Sequence, residues 1–155
     1  VKQVNTMHPL VSDCLQVHNR TGQIATNAGG GGLVAPALRD AQAMDLDRLM
    51  EALRDLVGRC RTGRLRPSEL TEGTITVSSL GEGGVDAILG VILPPQVALV
   101  GFGTPRLRPM LHAGQVGARL GVTVSLAADH RIGDGRRGAL FLAEIAHRLE
   151  EPDLT

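Results

Sequence analysis

An apolar run from Leu120 to Ala128 ends at Asp129-His130-Arg131-Ile132-Gly133-Asp134-Gly135, and a helical pattern begins directly after it. The first segment reads as a buried strand, the second as a tight turn. Phe141, Leu142, Ile145 and Leu149 then share one face of a helix from Arg136 to Glu150, which Pro152 stops. Whatever else the chain does, it must feed a strand into a helix through that junction. His130 sits in the junction, and histidine can exchange a proton near neutral pH. A sheet rim is a rigid place from which to hold a general base at a pocket mouth. An isolated strand-end histidine more often serves packing. Asp134, four positions on, and Gly135, which permits backbone geometry that other residues resist, make the pattern more specific.

The strongest helical pattern lies from Asp45 to Arg61. Leu46, Leu49, Met50, Leu53, Val57 and Cys60 form a stripe at three- and four-residue steps, with Asp45 placed to cap its start and Gly63 its end. Pro67-Ser68-Glu69 opens one further helical turn. Leu33 to Leu38 reads as a strand in which Pro36 marks an edge or a bulge. Thr74 to Ser78 alternates and is β-branched, and Val97 to Phe102 is apolar enough for a buried strand. Arg106 to Gln115 is expected to be a turn-rich link or hairpin. Val1 to Leu15 suits a helix end running into an extended segment, and Gly29 to Gly32 a flexible turn. Strands and helices mix without regular alternation, which favours an α/β two-layer sandwich with a mixed sheet over a doubly wound parallel sheet.

Composition removes several function classes. Sixteen Lys and Arg balance sixteen Asp and Glu, so no global charge draws the chain to nucleic acid or an anionic membrane. Trp and Tyr are absent and Phe occurs twice, which leaves no stacking platform for single strands. No apolar run reaches the roughly 18 residues of a membrane span. Cys14 and Cys60 lack metal-like spacing and read as free thiols in a reducing cytoplasm, although a disulfide stays open. Arg59, Arg61, Arg64 and Arg66 are expected to form a solvated helix end, and Arg136 and Arg137 an exposed helix start. Gly133-Asp134-Gly135-Arg136-Arg137-Gly138 matches a dinucleotide-binding glycine pattern in letters only. The parallel strand with an acidic residue that must follow has no room before Thr155.

The Asp129 to Gly135 segment resembles the Asp-His-Arg-x-x-Asp-Gly signature of the dihydrolipoamide acyltransferase component of 2-oxoacid dehydrogenase complexes. Four further stretches are similar to that family in the same order: Gly32 to Asp40, Arg61 to Leu70, Thr76-Val77-Ser78-Ser79-Leu80-Gly81, and Leu93 to Gly101. The resemblance spans roughly Gly32 to Pro152. It implies the coenzyme A-dependent, chloramphenicol-acetyltransferase-like acyltransferase fold over residues 1–155. Part of the family's N-terminal portion is then missing, and neither a lipoyl domain nor a peripheral subunit-binding domain lies in this chain.

The resemblance further implies acyl transfer between a dihydrolipoamide thioester and coenzyme A. His130 would be the general base and Ser78 the oxyanion donor, with Asp134 fixing the loop or holding a cation, and direct orientation of the ring still possible. Ser79 would point the other way by strand alternation. Coenzyme A enters as substrate, the lipoyl group comes on a separate domain, and no metal is needed. The implied partners are two further copies in a homotrimer, a larger core beyond it, and the other components of the complex, in the cytoplasm. Two other readings stay open. One is a stand-alone acyltransferase for a small molecule, since antibiotic acetyltransferases share the His-x-x-x-Asp-Gly pattern. The other is a trimeric assembly module without a complete channel. A Ser78-His130-Asp134 hydrolase triad is conceivable, but no Gly-x-Ser-x-Gly elbow surrounds Ser78.

Overall fold

A computed structural model describes residues 21–23, 26–28, 32–79 and 84–150, with side chains from residue 35 onward in the last two stretches. The expectations for residues 1–15, for Cys14 and for Gly29–Gly31 lie outside the described residues. Helix α1 (Leu46–Arg61) starts where expected, because the Asp45 carboxylate accepts the Arg48 N–H at 2.8 Å. It ends at Gly63, whose φ of 69° lies in the left-handed region that glycine enters freely. The stripe is shifted from its predicted position. Leu46 faces solvent, while Leu56, which the helical count passed over, is fully buried beside Leu53, Val57 and Cys60.

Helix α2 (Pro67–Thr71) is the predicted extra turn, and Glu69 within it is buried. Its carboxylate accepts the Arg66 N–H at 2.7 Å and pairs with the Arg59 guanidinium at 2.7 Å, while Arg59 also holds Asp55 at 2.8 Å. Arg61, Arg64 and Arg66 are exposed as expected. Arg59 is the exception, since the buried carboxylate draws it inward; its hydrogen bonds to Asp55 and then to Glu69 raise its pKa.

The strands are β1 (Thr21–Gln23), β2 (Thr26–Ala28), β3 (Gly32–Val34), β4 (Ala37–Arg39), β5 (Ile75–Ser79), β6 (Ala98–Phe102), β7 (Arg106–His112), β8 (Gln115–Gly121) and β9 (Val124–Ala128). Five of them form a mixed sheet in the order β4-β1-β5-β6-β9. β1 runs parallel to β5 and β5 parallel to β6, while β4 and β9 close the two sides antiparallel. Two predicted strands are therefore broken. Leu33 to Leu38 divides at Pro36, which lacks a ladder donor, so β3 pairs with β2 and β4 joins the large sheet. Leu120 to Ala128 divides at Val122-Thr123, so its first residues belong to the β7–β8 hairpin. Uniform apolar character concealed that break.

Register assigns the two faces. Leu38, Gly22, Ile75, Ala98 and Ala128 lie opposite one another across the sheet, as do Val77, Val100 and Leu126 in their row. Leu38 packs with Leu53, Leu56 and Val57 of α1. Helix α3 (Gly135–Glu150) packs on β9, where a side chain at Gly138 would stand 3.3 Å from Leu126. Since Leu38 and Leu126 project from the same face, α1 and α3 cover that face, and the fold is the expected two-layer α/β sandwich. The third glycine of the apparent dinucleotide pattern is thus a close-packing residue.

The opposite face carries Thr76 and Ser78 of β5, Leu99 and Gly101 of β6, and Ser125 and Ala127 of β9. An extended strap, residues 84–93, crosses it. The Ser125 hydroxyl donates to the Ile88 carbonyl, and a Cβ at Gly101 would come within 2.7 Å of that same oxygen. Glycine at 101 is what lets the strap lie directly on the sheet backbone. At the end of β5 nearest the strap's exit, Thr76 donates to the Gln96 side-chain oxygen at 2.9 Å.

Leu56→Ala removes a fully buried side chain from the α1 stripe and should cost about 3 kcal/mol. Urea unfolding should show a lower midpoint with an unchanged slope.

Candidate functional site

His130 lies where the sequence placed it, immediately beyond β9 and before α3, and its side chain is exposed. The turn around it is fixed by its neighbours. Asp129 N–H donates to the Val97 carbonyl at 2.8 Å, which carries the β6–β9 pairing one step past the strand. The Asp129 carbonyl accepts the Ile132 N–H at 2.9 Å. Its carboxylate accepts the Arg131 N–H at 3.0 Å and grips the Arg131 guanidinium, with the shortest contact 2.6 Å. This short fork stabilises the ionised carboxyl, whose pKa falls to about 2.

Asp134 begins α3. Its carboxylate accepts the Arg137 N–H at 2.9 Å and its carbonyl accepts the Gly138 N–H at 3.1 Å, the arrangement of a helix N-cap. The side chain therefore caps the start of α3. Among the described residues the carboxylate is held by a backbone amide. Arg136 and Arg137 are exposed.

Ser78 is 8% exposed, on the strap-covered face of β5, level with Gly101 and Ser125. Its hydroxyl has no hydrogen-bond partner among the described residues. Ser79 is also buried but projects toward the helix layer, in agreement with alternation.

The residues are not brought together within one chain. From Ser125, level with Ser78, to His130 is five positions along β9 and beyond, two strands across from β5. Strand rise and spacing put roughly 15 Å or more between them. Beyond His130 the chain enters α3 of the helix layer, while Ser78 is on the other face of the sheet. A hydrolase triad within one chain is thereby excluded. What each chain offers is an exposed imidazole on a braced turn and, apart from it, a buried hydroxyl under a strap. Sequence reasoning missed the braces, Asp129 with Arg131 and Ser125 with Ile88. The first was legible as aspartate two positions before arginine in a turn. The second joins residues 37 positions apart and gives no local signal.

Residues 22–155 match the family described as 2-oxoacid dehydrogenases acyltransferase (catalytic domain). The acetyltransferase component of the pyruvate dehydrogenase complex of Mycobacterium bovis is 36% identical over 125 residues, covering 77% of this chain and 23% of that protein. The corresponding component of Rickettsia felis is 32% identical over 142 residues, 92% of this chain and 34% of that one. The chain thus spans about a quarter to a third of the length of these curated relatives. Among solved structures, dihydrolipoamide acetyltransferase of Azotobacter vinelandii superposes with a TM-score of 0.76 at 25% identity, covering 89% of this chain and 54% of that one. Its catalytic mechanism was probed at a serine, a histidine 52 positions later, and an asparagine four positions after that.

The Asp129 carboxyl should titrate with a midpoint of about 2, followed by its side-chain carbon resonance in acid. Because the folded value lies below the ordinary 3.8, the turn's stabilisation is complete above about pH 4 and is lost as pH falls through 2. Arg131→Ala should return the midpoint toward 3.8.

Proposed function

The chain belongs to the family of 2-oxoacid dehydrogenase acyltransferase catalytic domains, and on that footing we propose that it moves an acyl group between a dihydrolipoamide thioester and coenzyme A as part of a 2-oxoacid dehydrogenase complex core. The observation that carries this reading is a pair of intervals. Ser78, His130 and Asp134 are separated by 52 and four positions, the intervals of the three residues probed in the Azotobacter vinelandii enzyme. Asp134 stands where that protein has asparagine. Both residue types cap helices, and capping is the role Asp134 plays here.

The chemistry follows from the half-sites. A thiol with pKa of about 8.5 is mostly protonated at neutral pH and needs a base to become a nucleophile. The His130 imidazole accepts that proton, and the thiolate attacks the thioester carbonyl. The negative charge on the carbonyl oxygen then requires a donor already in place, which is Ser78. Collapse of the tetrahedral intermediate expels the other thiolate, which recovers the proton from His130. Asp129 and Asp134 act on the backbone around the histidine rather than on the substrate.

The two half-sites of one chain cannot serve one substrate, so His130 of one copy works with Ser78 of another. A homotrimer, and a larger core built from trimers, is the assembly that supplies this. The lipoyl group arrives on a separate domain and coenzyme A from solution. The proposed compartment is the cytoplasm, where Cys60, buried and free with its pKa raised by desolvation, stays reduced.

His130→Ala should abolish transfer from acyl-dihydrolipoamide to coenzyme A, a loss of at least about a hundredfold, while the assembly stays intact by sedimentation. Transfer at the wild-type rate in that variant, or none from the assembled wild type, overturns the reading. Ser78→Ala should lower kcat by about a hundredfold with KM little changed, and weakened binding at normal turnover would remove its oxyanion role.

A further inference from the structure

The strap turns carbonyl groups down onto the main sheet. It descends β6 in antiparallel order. The Thr104 N–H donates to the Val85 carbonyl at 2.8 Å. A Cβ at Gly103 would stand 2.1 Å from the Asp86 oxygen, and one at Gly101 2.7 Å from the Ile88 oxygen. Two residues further, a Cβ at Gly90 would run into the Leu99 side chain. The start of the strap is held from the hairpin, where Arg106 and Arg108 reach Asp86 at 3.3 Å and 3.1 Å.

Register fixes what surrounds the Ile88 oxygen. Gly101 lies between Ser78 on β5 and Ser125 on β9. Each serine stands one strand spacing, about 4.8 Å, from the glycine, and both project from the strap-covered face. The carbonyl above Gly101 is thus flanked by two hydroxyls. Ser125 is the one that takes it: its hydroxyl donates to the Ile88 carbonyl, while the Gly101 carbonyl lies 3.5 Å from the same oxygen. The Ser78 hydroxyl has no hydrogen-bond partner among the described residues.

We propose that Ser125 is a positioning residue for acyl transfer: by occupying the Ile88 carbonyl it leaves the Ser78 hydrogen for the substrate oxyanion. The consequence rests on the acyl-transfer reading, the geometry on register alone. A carbonyl turned inward needs a donor, and one already served attracts a second less strongly. A serine hydroxyl carries one hydrogen. Committed to the strap, that hydrogen would have to break one bond to make another as charge develops on the thioester oxygen, and the donor would no longer be preorganised. Ser125 itself touches no reacting atom and acts through Ser78.

The test is a double-mutant cycle in the assembled protein. Ser125→Ala should lower kcat about tenfold with KM within about twofold, and Ser125→Thr, which keeps the hydroxyl, should restore it. In a Ser78→Ala background Ser125→Ala should lower the residual kcat no further, because the residue it acts through is gone. The crystal structure of the Ser125→Ala protein should show Ser78 Oγ within about 3.2 Å of the Ile88 oxygen. If Ser125→Ala does not assemble, Ser125→Cys, whose thiol donates weakly, replaces it with the same expectation in every arm. An unchanged kcat, an equal loss in both backgrounds, a threonine variant no better than alanine, or a Ser78 hydroxyl still turned away from Ile88 overturns the proposal. A wild type that transfers no acyl group removes the acyl-transfer reading instead, and the crystal structure then decides the contest between the two hydroxyls by itself.

Discussion

The hydrogen-bonded register of β5, β6 and β9 is the constraint from which the rest descends. It places Ser78, Gly101 and Ser125 in one row and Val77, Val100 and Leu126 in the next. A slip of one residue would exchange the faces. The helices would then meet hydroxyls, and the strap would meet Val100 instead of the bare backbone of Gly101. The same register separates His130 from Ser78 along the strands and across the sheet. Core packing, the strap and the separation of the two side chains are consequences of one pairing pattern.

Much of this was legible in the chain itself. The Asp129 to Gly135 junction, the cap at Asp45, the stop at Gly63 and the strands around Thr76 and Leu99 follow from local chemistry, and the structure places them within a residue or two. Local chemistry failed where long-range pairing decides. Nothing in Leu120 to Ala128 marks the point at which the chain leaves a hairpin and joins the main sheet. Leu56 was missed because the buried arc of α1 is set by Leu38, a residue distant in sequence. Arg59 reads as a surface cation until Glu69 is seen buried beneath it. The positions of Ser78, His130 and Asp134 in their elements were readable one by one, while their separation required the ladder.

The distribution of apolar surface is uneven. Around α1 the chain is packed as a domain core should be, with Leu56, Cys60 and Val57 almost fully covered. Toward the C-terminal half, α3 has no buried residue, and Leu140 and Ile132 are exposed along with the hairpin and strap leucines. Exposure on this scale is unusual for a surface meant to remain in water. The half of the chain that holds His130 is also the half whose apolar residues are uncovered.

The distance between imidazole and hydroxyl has a consequence for the chemistry of a free subunit. A lone copy holds an accessible base but no oxyanion donor within its reach, so on the acyl-transfer reading it is a bystander toward thioesters. On that same reading, newly made protein would leave thioesters untouched until a second copy brought a hydroxyl to the imidazole.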